Sequence, residues 1–167
     1  SLAYPAEYTG ERWIDELYFH RGMCFFRLKQ YARAAEPFDL VVSHSRSDEM
    51  AEKSLFWMIR ALFRWGRTEE AMHTLSLLEA SYPRGALIDQ TFYLKARILE
   101  DQDDLPQAIS VYREMADRFP QSPLRFPALW QSGWLLFKRQ DFPGAIQVWD
   151  GLLALRPAPL WEEKVLY

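Results

Sequence analysis

The sequence predicts an all-α chain built from repeated antiparallel helix pairs. Three observations carry this. Four alanines, Ala34, Ala71, Ala108 and Ala145, recur at a constant spacing of 37 residues. Around each lies the same set of small, large and helix-breaking residues, and self-similarity at such a period marks a repeat array. Glycine is scarce, seven in 167 residues, which argues against a turn-rich β protein.

Each repeat can be read in chain order. Twelve residues before the alanine stands Gly22, Ile59, Ala96 or Gly133, and three residues further on Phe25, Leu62, Leu99 or Leu136. Four residues after the alanine come Phe38, Leu75, Tyr112 and Trp149. Two antiparallel helices approach closely where a small side chain lies at the crossing and a large one fills the neighbouring hole. Ile59 departs from the small position, and the second pair is expected to sit wider there. Twelve residues after the alanine, Pro83, Pro120 and Pro157 close the second helices, with Arg46 at the first such place.

The register divides the chain at about 12–47, 48–84, 85–121 and 122–158, with 159–167 as the start of a fifth repeat. First helices are expected from about 49, 86 and 123 to about 65, 102 and 139, with Asp48 and Ser122 as N-caps and Pro123 in the first turn. Second helices are expected from about 31, 68, 105 and 142, where Asp104 and Asp141 cap and Pro106 and Pro143 suit the first turn. Pro37 lies inside a second helix, so a kink or irregular start is expected there. Residues 1–11 read as a loop or frayed lead-in. Opening at Ser1 and closing at Tyr167 inside a helical pattern, the sequence reads as a piece excised from a longer protein, with any targeting signal cut away.

Composition excludes several function classes. Twenty Lys and Arg against 23 Asp and Glu give a net charge of −3, without the basic excess of a nucleic-acid binder. No apolar run reaches the roughly 18 residues of a membrane span. One cysteine, Cys24, makes neither an internal disulfide nor a thiolate metal site, and reads as a buried inert thiol. His20, His44 and His73 fall at unrelated repeat positions, so no metal ligand set or catalytic base is expected. The acidic run Glu100–Asp104 lacks the glycine and terminal glutamate of a calcium loop and reads as a capped turn. No phosphate loop, dinucleotide fingerprint or nucleophile elbow occurs. No cofactor is expected, and this segment is not expected to catalyse.

The small-x2-large, Ala-x3-aromatic and proline pattern, in constant register over about residues 12–157, resembles the tetratricopeptide repeat (TPR). The family period is about 34, so each unit carries roughly three extra residues. The resemblance implies a right-handed α-solenoid whose first helices line a concave groove. On the repeats that begin at Asp15, Glu52, Asp89 and Phe126, it implies an aromatic groove position at Phe19, Phe56, Tyr93 and Trp130. Beside it fall Arg60, Arg97 and Trp134, then Arg64 and Lys138. Such a face would grip peptide side chains or stack on sugar rings while arginine holds carboxylates. The same aromatics would equally serve packing between repeats. The family's carboxylate clamp is not carried over, because Phe19 and Met23 occupy its slots.

The connector Arg118-Phe119-Pro120-Gln121-Ser122-Pro123, with Ala128-Leu129-Trp130 and Asp141-Phe142-Pro143-Gly144-Ala145, is similar to connectors in bacterial envelope TPR proteins, most of all the superhelical part of soluble lytic transglycosylases. That resemblance implies a periplasmic or envelope location and a scaffold that guides peptidoglycan glycan strands, with catalysis in a separate domain outside this segment. The alternative is a stand-alone scaffold of the outer-membrane assembly or Tol–Pal type that binds a protein or peptide.

Overall fold

The computed structural model describes residues 12–155, all of whose regular elements are α-helices. The lead-in and the incoming fifth repeat expected from the sequence lie outside these residues. Two compact units divide at Ile88. The first contains α1 (Arg12–Arg27), α2 (Tyr31–His44), α3 (Asp48–Trp65) and α4 (Thr68–Ser81). The second, from Asp89 on, contains all but the first residue of α5 (Ile88–Asp101), with α6 (Leu105–Arg118), α7 (Arg125–Lys138) and α8 (Phe142–Ala154).

Backbone rules make the hairpin turns. Lys29, Asp103 and Gln140 have φ of 58°, 62° and 63°, and Gly66 has 85°. In each turn the next residue's N–H reaches back to the large apolar position of the first helix: Gln30 to the Phe25 carbonyl, Arg67 to Leu62, Asp104 to Leu99 and Asp141 to Leu136, at 2.9–3.0 Å. This six-to-one bond closes the first helix and starts the second within three residues. Asp104 and Asp141 then cap α6 and α8 by accepting from the Gln107 and Gly144 N–H groups, ahead of Pro106 and Pro143.

The second helices start at the expected residues. The first helices differ. Ser47, not Asp48, caps α3, its hydroxyl accepting from the Met50 N–H. Helices α5 and α7 begin at Ile88 and Arg125, two residues later than expected, because the connectors make a turn first, closed by Gly85 N–H to the Tyr82 carbonyl and Ser122 N–H to the Phe119 carbonyl. Ser122 does not cap a helix. Its hydroxyl donates to Asp89 Oδ2 at 2.6 Å and accepts from the Leu124 N–H. Pro37 does not break α2, which is assigned as helix throughout Tyr31–His44 with Pro37 buried inside it. Cys24 is exposed, not buried: Gly22 and Phe25 take the inward positions of α1, and Cys24 is about 200° round the helix from Gly22.

The four alanines are fully buried. The small position and the residue sixteen further on share one volume. A Cβ added to Gly22 would lie 2.7 Å from the Phe38 ring, and one added to Gly133 would enter the Trp149 indole. In the second pair, Ile59 is large and the matching residue is Leu75, without a ring; both are fully buried. We predict that Gly22→Ala lowers stability by about 1–3 kcal/mol by overpacking, and that adding Phe38→Leu recovers part of the loss. Chemical denaturation of the two variants checks this, and equal loss in both would remove the volume trade.

Buried acids fasten the connectors. Asp15 is 1% exposed and accepts from the Ser45 hydroxyl at 2.5 Å. Glu52 is 6% exposed and accepts from the Leu87 N–H at 2.7 Å and the Ala86 N–H at 3.2 Å. A Cβ on Gly85 would collide with the Glu52 carboxylate, so glycine there lets the carboxylate reach the backbone. Asp89 plays the same part with Ser122. Removing Glu52 takes away the carboxylate that both N–H groups donate to. We predict a loss of about 1–3 kcal/mol for Glu52→Ala and a smaller loss for Glu52→Gln, which keeps one acceptor. Thermal unfolding that leaves Glu52→Ala at the parent midpoint would contradict the clasp.

Candidate binding face

In the first unit the expected groove aromatics pack within the fold. Phe19 lies 5.7 Å from the Phe38 ring and joins two core clusters, one with Ile14, Tyr18, Val41 and Met50, the other with Ala34, Phe38 and Ala61. Phe56 is 7% exposed and meets Trp57 edge-on at 6.3 Å. Both rings serve packing within the unit.

The accessible chemistry is carried by arginine on aromatic. The Arg60 guanidinium sits 4.2 Å from the Trp57 ring centre, 5.4 Å from Phe26 and 5.8 Å from Phe56. Trp57 and Phe26 meet edge to face at 5.1 Å, which gives the cation a built platform. Burial, with Arg64 one turn along, holds the Arg60 pKa below its ordinary value. Among the described residues no carboxylate lies within ion-pair distance of Arg60 or Arg64. Two neighbouring cations, one half-desolvated and neither neutralised, make an electropositive spot beside the half-buried rings of Trp57 and Phe26. Trp57 falls outside the groove positions used for the sequence expectation. Its i, i+3 spacing to Arg60 on α3 is the signal that finds it.

In the second unit Tyr93 meets Tyr112 edge-on at 5.4 Å. Tyr112 is fully buried, and its hydroxyl donates to Glu100 Oε2 at 3.2 Å. Burial and then the Glu100 charge push the phenol far above its ordinary pKa, so it stays a neutral donor. Glu100 also accepts from the Gln131 side chain at 2.8 Å and lies 3.9 Å from the Arg97 Nε. Arg97 therefore differs from Arg60 in having an acid beside it. Trp130 stacks on Trp149 at 5.5 Å and 25°. Trp134 is 40% exposed and stacks on Phe137 at 5.5 Å and 16°, next to the exposed end of α7 that carries Lys138. Phe137 continues onto Phe142 and Trp149.

The nine expected residues thus separate by role. Phe19, Tyr93 and Trp130 each lean on the residue nineteen further along, and Phe56 is buried. Arg60, Arg64, Trp134 and Lys138 present chemistry to solvent, and Arg97 faces Glu100. Among the described residues no group of three His, Cys, Asp or Glu side chains could hold a metal ion. His20 and His44 bond to carbonyls one turn back on their own helices. No described helix is long and apolar enough to cross a membrane.

Comparison with known proteins places this architecture. In solved structures the fold is similar to apo RapI, with a TM-score of 0.72 at 12% identity over 85% of this chain. The chain spans only 55% of RapI. It is similar to residues 41–end of MamA from Desulfovibrio magneticus RS-1, with a TM-score of 0.65, 18% identity, and 85% and 75% of the two chains covered. A protein of nearly identical TPR-like repeats from Podosopora anserina gives 0.68 at 14% identity, covering 86% and 76%. No curated protein matches the sequence. The family model for the tetratricopeptide repeat matches residues 58–123 and, overlapping, 93–159, together more than half of the chain. The chain belongs to the tetratricopeptide repeat family.

Proposed function

We propose that this TPR chain is a non-catalytic protein-interaction module, and that the Arg60–Arg64 face of its first unit takes an acidic segment with an apolar neighbour. The observation that carries the reading is the unneutralised Arg60 guanidinium on its Trp57 and Phe26 platform. A carboxylate delivered there gains a charge-assisted, forked hydrogen bond in a partly desolvated place, while the aromatic edges receive the adjoining side chain. We predict that peptides selected from a displayed random library on the whole chain are enriched in Asp or Glu next to an apolar residue. Arg60→Ala with Arg64→Ala should then weaken them at least about tenfold without changing the helical circular dichroism. Unchanged affinity in that variant would remove the face.

A narrower reading concerns the parent protein. We propose an envelope setting in which the array is the scaffold of a soluble lytic transglycosylase acting on peptidoglycan. Its support is the Arg118–Pro123 connector and the solvent-facing Trp134–Phe137 pair, whose flat stack suits a sugar ring. Co-sedimentation with purified peptidoglycan tests it: Trp134→Ala should release the chain into the supernatant. Absence of sedimentation by the parent chain would favour the stand-alone scaffold.

A further inference from the structure

The first unit exposes two large apolar side chains at the tips of its helix hairpins. Leu28 follows α1 and is 66% exposed, and Trp65 ends α3 and is 46% exposed. They are 37 residues apart and occupy one place in the repeat. The fold does not require an apolar residue there, because the same place holds Gln102 and Arg139 in the second unit. Lone exposed apolar residues are ordinary on a protein surface. Here two stand at equivalent tips of one unit, and each is set among cations.

Leu28 lies between Arg27 and Lys29, and Trp65 between Arg64 and, past Gly66, Arg67. All four cations are exposed. The chain reverses at these points, where Lys29 and Gly66 take φ of 58° and 85°. The acids nearest in sequence are Glu69 and Glu70. Glu70 pairs with Arg67, whose guanidinium also lies 5.1 Å from the Trp65 ring centre. Among the described residues no ion pair within 4.0 Å reaches Arg27, Lys29 or Arg64. The two tips stand at the same end of the unit. Phe26, in the last turn of α1, meets Trp57 of α3 edge-on at 5.1 Å and lies 5.4 Å from the Arg60 guanidinium, also of α3.

We propose that this hairpin edge of the first unit docks on the surface of an anionic lipid bilayer. Leu28 and Trp65 insert at the level of the headgroups, where an indole finds surroundings for both its apolar body and its polar N–H. Arg27, Lys29 and Arg64 meet the lipid phosphates, and each basic residue near an anionic surface adds to the attraction. Apolar insertion and charge together give the reversible adsorption of a peripheral protein. An acidic protein surface would match the charge, but side chains that project singly from turns need a surface that yields around them, and a fluid bilayer does. Arg64 is shared with the proposed acidic-segment face. Arg27, Leu28, Lys29 and Trp65 are not.

Flotation of the whole chain with unilamellar vesicles at low salt tests the proposal. Vesicles of phosphatidylcholine and phosphatidylglycerol in equal parts should carry the chain upward, and vesicles of phosphatidylcholine alone should not. Leu28→Ala with Trp65→Ala should raise the lipid concentration for half-binding at least about tenfold. Arg27→Gln with Lys29→Gln should raise it at least about fivefold. These four residues are exposed, so both variants should keep the helical circular dichroism of the parent. Arg60→Ala should leave flotation unchanged, which separates failure here from failure of the acidic-segment face. A parent chain that stays below the anionic vesicles would overturn the proposal. Equal flotation of the parent and the Leu28→Ala, Trp65→Ala variant would overturn it too, because the attraction would then be bare charge, open equally to an acidic protein.

Discussion

The structure depends on carboxylates that are wholly or partly taken out of water and given to the connectors. A helical hairpin buries only part of its apolar surface, and it gains the rest by holding the next hairpin in one place. That requires the intervening segment, which forms few regular backbone bonds, to be fixed. Asp15, Glu52 and Asp89 open their first helices at equivalent places, and each reaches 30 to 35 residues ahead to a hydroxyl or backbone N–H of the following connector. A buried carboxylate without these bonds would be costly. The same bonds make the connector geometry specific, and Gly85 is small because the Glu52 carboxylate needs its space. Phe126 stands at the corresponding place of the last pair, so this fastening is not continued there by an acid.

Much of the fold is legible in the sequence because the second helices announce themselves locally. Aspartate at the cap and proline in the first turn of α6 and α8, and proline after the ends of α4 and α6, act within a few residues and need no tertiary context. The first helices are less legible. Ser122-Pro123 has the chemistry of a helix start, but Asp89 competes for the serine hydroxyl from 33 residues away. The helix begins only after the intervening turn, at Arg125. A local rule loses there to a long-range hydrogen bond that sequence spacing alone does not display.

The candidate face shows the same division. Periodicity locates an aromatic at Phe19, Phe56, Tyr93 and Trp130 but does not separate a groove from packing, because both recur once per repeat. The deciding information is a second aromatic nineteen residues on, which packs against the first in three of the pairs. Arg60 and Arg97 are alike in register and differ in environment. Arg60 has Trp57 beneath it, whereas Arg97 has Glu100 one turn along. Arg113 and Arg125 lie on different helices and line one cavity, a property of packing that no motif encodes.

The reach of the connector bonds also shapes how the chain gains its order. The side-chain bonds that join successive pairs span 30 to 35 residues. Each closes a loop of similar, modest length, so the entropic cost of folding is met in small and nearly equal steps. A chain of low contact order of this kind folds fast, and order can spread from any hairpin to its neighbour. The converse holds under proteolysis or pulling force. Asp15, Glu52 and Asp89 each release their connector as the hairpin that carries them yields.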